Sequence, residues 1–318
     1  VWTHSTPALI KAGRDEVIVR TNNDTFYKSG FISLADGPVV LTASATGDGR
    51  FVSFQLMDDR NVNYRNIINP HGAYTLYHGD KPDSIDGEAI PVPSEFGFVL
   101  ARVEVRDGTD PADVQAAKAV YEGLTIEGPA VTDFPHVDRL SKYPSDVATE
   151  AHRRLDEAFA AEPFTVVGPG EEPGIDVPAL SHSASTKGGW GGPARDHSDY
   201  ETLQTDDRGE PMLGSNGPYV LTTEEPPVDG FWSITAYDTE RGGFFHPNPN
   251  DRYHFNNTTA ERNDDGTVTI TFKTSCNPDD GNCLEVPEGQ FDVVARYYAP
   301  KGPILDKSWR IQHPSRSQ

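Results

Sequence analysis

The sequence predicts a mainly β protein, built from two β-sandwich or jelly-roll modules that are joined by a short segment with two helices. Glycine and proline supply 29 and 26 of the 318 residues, which is typical of chains with many turns and short strands. Aromatic residues make up 10% of the chain and provide the large side chains that a core needs. Two regions of short alternating apolar segments flank one region of helical periodicity.

The first module is predicted to span residues 1–108. Short apolar runs alternate there with turn-forming clusters rich in Gly, Pro, Asn and Asp, which is the pattern of antiparallel strands. The run at 51–57 mixes apolar and polar residues, as expected for a strand covered on both faces. The predicted strands are 16–20, 31–34, 39–44, 51–57, 74–77 and 96–105.

A connector is predicted over residues 109–200, and it begins with two helices. Asp110 followed by Pro111 is a helix start, because Asp caps a helix and Pro fits its first position. A second helix follows Ser145, where apolar residues recur every four positions. The rest of the connector is rich in Gly, Pro and Ser, and such long irregular stretches are usually functional or linkers.

The second module is predicted to span residues 201–318. Turn signals at 206–209 and 263–266 indicate hairpins. The segment 267–272 alternates apolar residues with threonine and is the clearest strand signal in the chain, while 231–237 and 291–298 are two further long strands.

The segment from Arg20 to Tyr27 concentrates polar side chains directly after an apolar run. One interpretation is a polar turn at a strand end, because Asn, Asp and Thr hydrogen-bond nearby backbone. The other is the polar floor of a binding cleft. On that second interpretation the ligand-binding candidates here are Arg20, Asn22, Asn23, Asp24 and Tyr27, and Asp24 and Tyr27 are also the catalytic candidates.

Further candidates lie elsewhere in the chain. If strands 16–20 and 51–57 are adjacent, Asp24, Asp58 and Asp59 could form a carboxylate cluster, which would suit calcium or magnesium better than zinc. An Asp–Arg surface network that includes Arg60, also a ligand-binding candidate, is the alternative. Trp190 lies between glycines and could cover a ligand as the wall of a pocket.

The formal charge of −22 argues against nucleic acid and anionic membranes as partners, because both attract basic surfaces. No apolar run approaches the 20 or so residues of a membrane span. Cys276 and Cys283 bracket six turn-forming residues, which favours a disulfide-closed loop. A disulfide indicates an oxidising compartment, so we expect a secreted, periplasmic or cell-surface protein.

Ordered sequence blocks resemble a known family. The segments 19–27, 37–41 and 51–57 resemble domain of unknown function 1254, and 207–211, 214–221, 227–238, 248–253 and 289–300 resemble its usual partner, domain of unknown function 1214. The resemblance implies a two-module β fold of the jelly-roll or sandwich kind and an exported, cell-envelope protein whose biochemical role is unassigned. Members typically carry a further helical N-terminal segment.

Three functions are compatible with these observations. The first is an exported protein that binds a small molecule or takes part in an extracellular or envelope assembly. The second is a metal-assisted hydrolase that uses Asp24 or a histidine together with Tyr27. The third is a self-associating structural subunit, a homo-oligomer joined through strand edges. The chain has no Gly-x-Ser-x-Gly elbow, which argues against a serine hydrolase.

Overall fold

The computed structural model describes residues 7–14, 19–44, 46–129, 144–161, 183, 192–277 and 279–317. Within these ranges the protein is mainly β, with sixteen strands in four sheets of four strands each and three α-helices. The predicted fold class is confirmed. The chain divides into two compact units, and each unit draws on separate stretches of sequence.

The first half of the chain supplies eight strands. Their bounds are β1 Thr25–Ser33, β2 Val39–Ala43, β3 Val52–Asp58, β4 Asn63–Ile68, β5 Gly72–Tyr77, β6 Glu88–Pro91, β7 Phe96–Glu104 and β8 Thr125–Glu127. Helix α1 (Pro111–Gly123) lies between β7 and β8, and α2 spans Ser145–Ala161, so both predicted helices are present. The Asp110 carboxylate accepts the backbone N–H of Ala112, as expected of a cap.

The second half supplies the other eight strands and the short helix α3 (Gly302–Leu305). The strands are β9 Ser198–Leu203, β10 Tyr219–Thr223, β11 Trp232–Asp238, β12 His254–Asn256, β13 Val268–Lys273, β14 Cys283–Glu285, β15 Phe291–Tyr298 and β16 Ser315–Arg316. The strand predicted at 291–298 coincides with β15, and the alternation predicted at 267–272 coincides with β13 to within one residue.

The first unit contains Tyr27–Val103 and the described parts of Ala119–Arg195. Its sheets have the strand orders β1-β7-β3-β4 and β6-β5-β2-β8. Phe54 and Leu56 of the first sheet are fully buried, as are Leu41 and Leu76 of the second. The rings of Phe54 and Tyr74 meet edge to face at 6.3 Å, so apolar faces of both sheets share one core.

The second unit contains the described residues of Ala8–Phe26, Glu104–Lys118 and Asp196–Gln318. Its sheets have the strand orders β12-β11-β15-β9 and β14-β13-β10-β16. One large apolar core joins them, with Ile234 and Val293 from the first sheet and Ile270 and Leu221 from the second. Unit two therefore contains a β-sandwich completed by two segments from the first half of the chain.

One sheet in each unit has a second face on which polar side chains are buried. In β11, residues 232, 234 and 236 point into the apolar core, so Ser233, Thr235 and Tyr237 point the other way. In β3, Phe54 and Leu56 point into the core, so Ser53, Gln55 and Met57 point away from it. We call these surfaces the outer face of unit two and the outer face of unit one.

Two predictions about the N-terminal region are wrong. Val19 and Arg20 lie in a turn rather than at the end of a strand, and residues 16–18 of the predicted strand 16–20 lie outside the described residues. The neighbours of β3 are β7 and β4, so the proposed pairing of 16–20 with 51–57 does not occur in the described part of the chain. Thr25–Tyr27, which the turn interpretation of the polar segment included, begins β1.

Cys276 and Cys283 form a disulfide, as predicted. It closes the loop between β13 and β14, two strands that run parallel to each other. Of the helices that the structure describes, none has the length and hydropathy needed to cross a bilayer.

Candidate functional site

The predicted polar segment lies on the outer face of unit two, where it is tied to β11, β12 and β15. Arg20 adopts a left-handed conformation with φ 53°, which is uncommon for a residue with a side chain. Its backbone N–H donates to the carbonyl of Gly243 at 2.8 Å, and its carbonyl accepts from Arg296 Nη2 at 3.0 Å. These two bonds fix the turn despite its strained backbone.

The Arg20 side chain forms a bidentate ion pair with Asp292. Its Nη1 and Nη2 donate to Oδ1 and Oδ2 of Asp292 at 2.8 and 2.6 Å. The Asp292 side chain is only 2% exposed, whereas that of Arg20 is 26% exposed. Arg20 therefore neutralises a buried carboxylate on β15, and its donors are engaged within the unit.

Asp24 is fully buried and contacts two side chains of the outer face of unit two. One carboxylate oxygen, Oδ2, accepts a hydrogen bond from the hydroxyl of Ser233. The other, Oδ1, lies 3.1 Å from Nε2 of His254, but the angles are not those of a hydrogen bond, so we treat this as a charge contact. Burial lowers the pKa of His254, and the nearby Asp24 carboxylate opposes that effect.

Arg296 is the central cation of the outer face of unit two. Its Nη1 donates to the Thr235 hydroxyl at 3.0 Å and its Nη2 to the Tyr237 hydroxyl at 2.6 Å. Burial disfavours the charge, but the nearby Tyr237 oxygen and the Asp24 carboxylate outweigh it, so the pKa of Arg296 is raised. Burial raises the pKa of Tyr237 to about 12, so this phenol is a poor base at neutral pH.

The two asparagines of the segment also have partners inside unit two. Asn22 donates to the Tyr298 hydroxyl at 2.5 Å and accepts the backbone N–H of Asp24. Asn23 exchanges two hydrogen bonds with the backbone of Ile10, at 2.8 and 2.9 Å. Arg20, Asn22, Asn23 and Asp24 therefore satisfy their hydrogen-bonding groups largely within the fold, which favours the structural interpretation of this segment.

Asp58, Asp59 and Arg60 belong to unit one, whereas Asp24 belongs to unit two. The Asp58 carboxylate accepts the backbone N–H groups of Arg60 and Val62 at 2.9 and 2.8 Å and closes the turn after β3. Arg60 is 70% exposed and Asp59 is exposed. Across the described ranges, no three His, Cys, Asp or Glu side chains come together as a set that could hold a metal ion.

Tyr27 occupies a different environment from the other residues of its segment. Its side chain lies on the outer face of unit one, with the guanidinium of Arg102 5.4 Å from its ring centroid. Arg102 is 4% exposed, and its Nη1 donates to Oε1 of the fully buried Gln55 at 2.6 Å. Nε of Arg102 is buried and has no hydrogen-bond partner among the described residues.

Strand register places these side chains on one surface. Ser53 of β3 lies opposite Arg102 of β7, and Gln55 lies opposite Leu100 on one side and Asn66 of β4 on the other. Directly opposite residues share a sheet face. Arg102, Gln55 and Asn66 therefore form a buried polar row across three strands.

Apolar side chains surround this row. Met57, Phe98 and Leu100 form a buried cluster on the same face. Phe31 of β1 packs edge to face against Phe98 at 4.9 Å and is 39% exposed. Tyr27 is also 39% exposed. The outer face of unit one thus combines a buried cation, buried amides and a partly exposed aromatic rim, the composition that small-molecule sites commonly have.

Sequence reasoning did not single out Arg102, Gln55, Asn66 or Arg296. The available signal was a lone charged or amide residue inside an apolar strand, as with Gln55 in 51–57 and Arg102 in 96–105. Trp190, the remaining predicted contact residue, lies outside the described residues.

The fold defines the protein as a two-unit, mainly β protein with a buried polar sheet face in each unit. Family models match residues 3–128, as "Protein of unknown function (DUF1254)", and residues 197–302, as "Protein of unknown function (DUF1214)". The chain belongs to the family in which these two domains are paired, as the resemblance indicated.

Several solved structures match the chain. The VPA0106 protein from Vibrio parahaemolyticus has a TM-score of 0.77 at 19% identity, over 94% of this chain and 90% of that one. An uncharacterised protein from Burkholderia cenocepacia has a TM-score of 0.48 at 12% identity, over 94% of this chain and 77% of that one. The first likeness concerns the fold alone. No curated protein matches the chain.

Proposed function

We propose that the protein binds a small organic carboxylate, with an apolar body, on the outer face of unit one. The observation that carries this proposal is the buried guanidinium of Arg102, which forms no ion pair with any carboxylate of the described residues. Removing a charge from water without a counter-charge costs several kcal/mol. A ligand carboxylate would supply that counter-charge and would accept hydrogen bonds from the guanidinium.

Unit two contains a buried arginine, Arg296, whose charge is compensated by other side chains of the same unit. Arg296 also projects from the outer face of a four-stranded sheet, and there the Asp24 carboxylate favours its charged form. The side chains of Thr235 and Tyr237 take up its donors. Arg102 has the Gln55 amide and the Tyr27 ring instead, which are neutral partners. This contrast supports an anion from outside the chain as the partner of Arg102.

The apolar part of the ligand follows from the surroundings of Arg102. Met57, Phe98 and Leu100 offer a buried apolar surface, and Phe31 and Tyr27 offer partly exposed rings. Aromatic rings and thioethers pack well against aliphatic and aromatic bodies of varied shape. A carboxylate such as 3-phenylpropionate or hexanoate combines the two required properties.

Calorimetric titration with two matched pairs tests the proposal: 3-phenylpropionate against 3-phenylpropan-1-ol, and hexanoate against hexan-1-ol. We expect the carboxylate of each pair to bind more tightly than the alcohol. Arg102→Met should weaken carboxylate binding about 30-fold or more, because truncating one partner of a buried charged pair costs roughly 2 kcal/mol or more. Arg208→Met is the matched control, because Arg208 is exposed and belongs to unit two, and it should leave binding unchanged.

Two results would overturn the proposal. One is the absence of any carboxylate binding with a dissociation constant below about 1 mM, where affinity is about 4 kcal/mol. The other is binding that Arg102→Met leaves intact. Circular dichroism of the variants should confirm that they are folded.

We also propose an oxidising location, namely secreted, periplasmic or cell-surface. The Cys276–Cys283 disulfide supports it, because such bonds persist mainly outside the reducing cytosol. Fractionation of the native host, followed by immunodetection, tests it, and recovery in the cytosolic fraction would contradict it. Three further expectations stay predictions. They are assembly into a homo-oligomer, binding of a divalent cation and activity as a metal-assisted hydrolase.

A further inference from the structure

We infer that the ligand of Arg102 carries a hydrogen-bond donor, a hydroxyl or amine group, which binds Oδ1 of Asn66. This inference rests on the proposed function and narrows its ligand to hydroxy or amino carboxylates. Asn66 is 6% exposed, and its Oδ1 is buried without a hydrogen-bond partner in the described part of the chain. A buried amide oxygen of this kind normally has a donor.

The orientation of the Asn66 amide follows from its neighbours. The backbone N–H of Ala194 can only donate, and it lies 2.9 Å from the side-chain oxygen of Asn63. The Asn63 nitrogen correspondingly faces two carbonyl oxygens, those of Leu56 and Arg65, at 3.0 and 3.1 Å. The Asn63 side chain therefore presents its oxygen to Asn66.

The atom of Asn66 that lies 2.9 Å from this oxygen must be its nitrogen, which donates to Asn63. The other end of the amide is then an oxygen, which can only accept. The backbone N–H of Ala194 thus sets the orientation of the Asn63 amide, and Asn63 sets that of the Asn66 amide. The ligand therefore has to offer a hydrogen-bond donor to Asn66 Oδ1. A ligand that placed a hydrogen-bond acceptor instead of a donor beside Asn66 Oδ1 would leave this oxygen without a hydrogen bond. Such a ligand would bind less tightly.

The distance between the two anchors sets the geometry of the ligand. Strand β3 lies between β7 and β4, so two strand spacings, about 9.6 Å, separate Arg102 from Asn66 across the sheet. Arg102 lies opposite Ser53 and Asn66 lies opposite Gln55, which adds an offset of about 7 Å along the strands, so their backbones are about 12 Å apart. Both side chains flank Gln55, because Arg102 donates to its oxygen and Asn66 lies opposite it in the register. A compact ligand lodged between Arg102 and Asn66 can therefore contact both anchors.

The test compares ligands that differ only in a hydroxyl group. Titration of the full chain with 3-phenylpropionate, 3-phenyllactate and 3-hydroxy-3-phenylpropionate measures the gain from a hydroxyl at either carbon. We expect at least one hydroxy acid to bind about tenfold or more tightly than 3-phenylpropionate, because a site built to hydrogen-bond a group discriminates against the analogue that lacks it.

Asn66→Leu should abolish this preference while 3-phenylpropionate still binds, because leucine has a similar size and cannot accept a hydrogen bond. In this variant Asn63 Oδ1 still accepts a hydrogen bond from the backbone N–H of Ala194, so the former partner of Asn66 keeps a donor. Asn66→Ser, which restores an acceptor, is the second variant and should recover part of the preference.

The outcomes separate the two proposals. Equal affinity for all three acids in the wild-type protein would overturn the inference about Asn66 and leave the carboxylate proposal standing. A preference that survives in Asn66→Leu would also overturn it, because another group would then be the acceptor. If none of the acids binds, the carboxylate proposal fails and this inference fails with it.

Discussion

The ion pair between Arg20 and Asp292 predicts a large and specific loss of stability when Arg20 is replaced. Arg20→Met keeps most of the apolar length of the side chain but removes both hydrogen bonds to a carboxylate that is 2% exposed. Leaving one partner of a buried pair uncompensated typically costs about 3–5 kcal/mol. Because the Arg20 side chain is 26% exposed, water can partly replace it, so we expect about 3 kcal/mol.

Hydrogen exchange followed by mass spectrometry on peptides that cover β15 measures the free energy of opening of unit two directly. The backbone hydrogen bonds of residue 20 do not depend on its side chain, so the change isolates the ion pair. Arg20→Met combined with Asp292→Asn should cost less than the sum of the single changes, because no charge is then left buried. Arg208→Met serves as an exposed control in the same unit and should stay within about 0.5 kcal/mol of the wild type. A cost below about 1 kcal/mol for Arg20→Met would refute this reasoning.

Two further predictions concern His254 and the disulfide. Burial lowers the pKa of His254, so this side chain binds a proton more readily in the unfolded chain than in the folded one. The contribution of neutral His254 to the stability of unit two should therefore be fully present above pH about 6.5 and should fall as the pH drops below that value. His254→Gln should remove this slope in denaturant titrations between pH 7.5 and 5, and an identical slope in both proteins would contradict the assignment. Replacing Cys276 and Cys283 by serine should cost about 2.5 kcal/mol, because the disulfide spans a sequence separation of 7 and closes a short loop. Reduction of the wild-type protein in the same titration should reproduce that loss of stability. If the variant with both cysteines replaced by serine were as stable as the oxidised wild type, the prediction would be contradicted.

Alternation and turn chemistry predicted the strands well where one face of a strand is apolar. β13 and β15 follow from apolar residues at every second position, and β2 and β5 follow from apolar runs between turn signals. β4 was not predicted, because Asn63 and Asn66 are turn-forming residues by composition and only their place beside β3 makes them part of a sheet.

The candidate site depends on contacts that sequence order does not contain. The segment 20–27 was correctly recognised as unusual, but its polar groups bind partners more than 200 residues away, such as Asp292 and Ser233. No local pattern predicts such partners. Arg102 and Gln55 could have been noticed as isolated polar residues in apolar strands, although their mutual hydrogen bond depends on the register between β3 and β7.

The interleaved make-up of unit two has a consequence for biosynthesis. Residues 20–24 leave the ribosome early, but Asp292 comes 272 positions after Arg20. At about 5–20 residues per second, roughly 15–50 s pass before the two can meet. During that interval Arg20, Asn22 and Asp24 lack Asp292, Tyr298 and Ser233, the side chains that they bind in the folded unit. The outer face of unit two can therefore form only after β15 has been synthesised, and fragments that begin after residue 200 should be less stable than the whole chain.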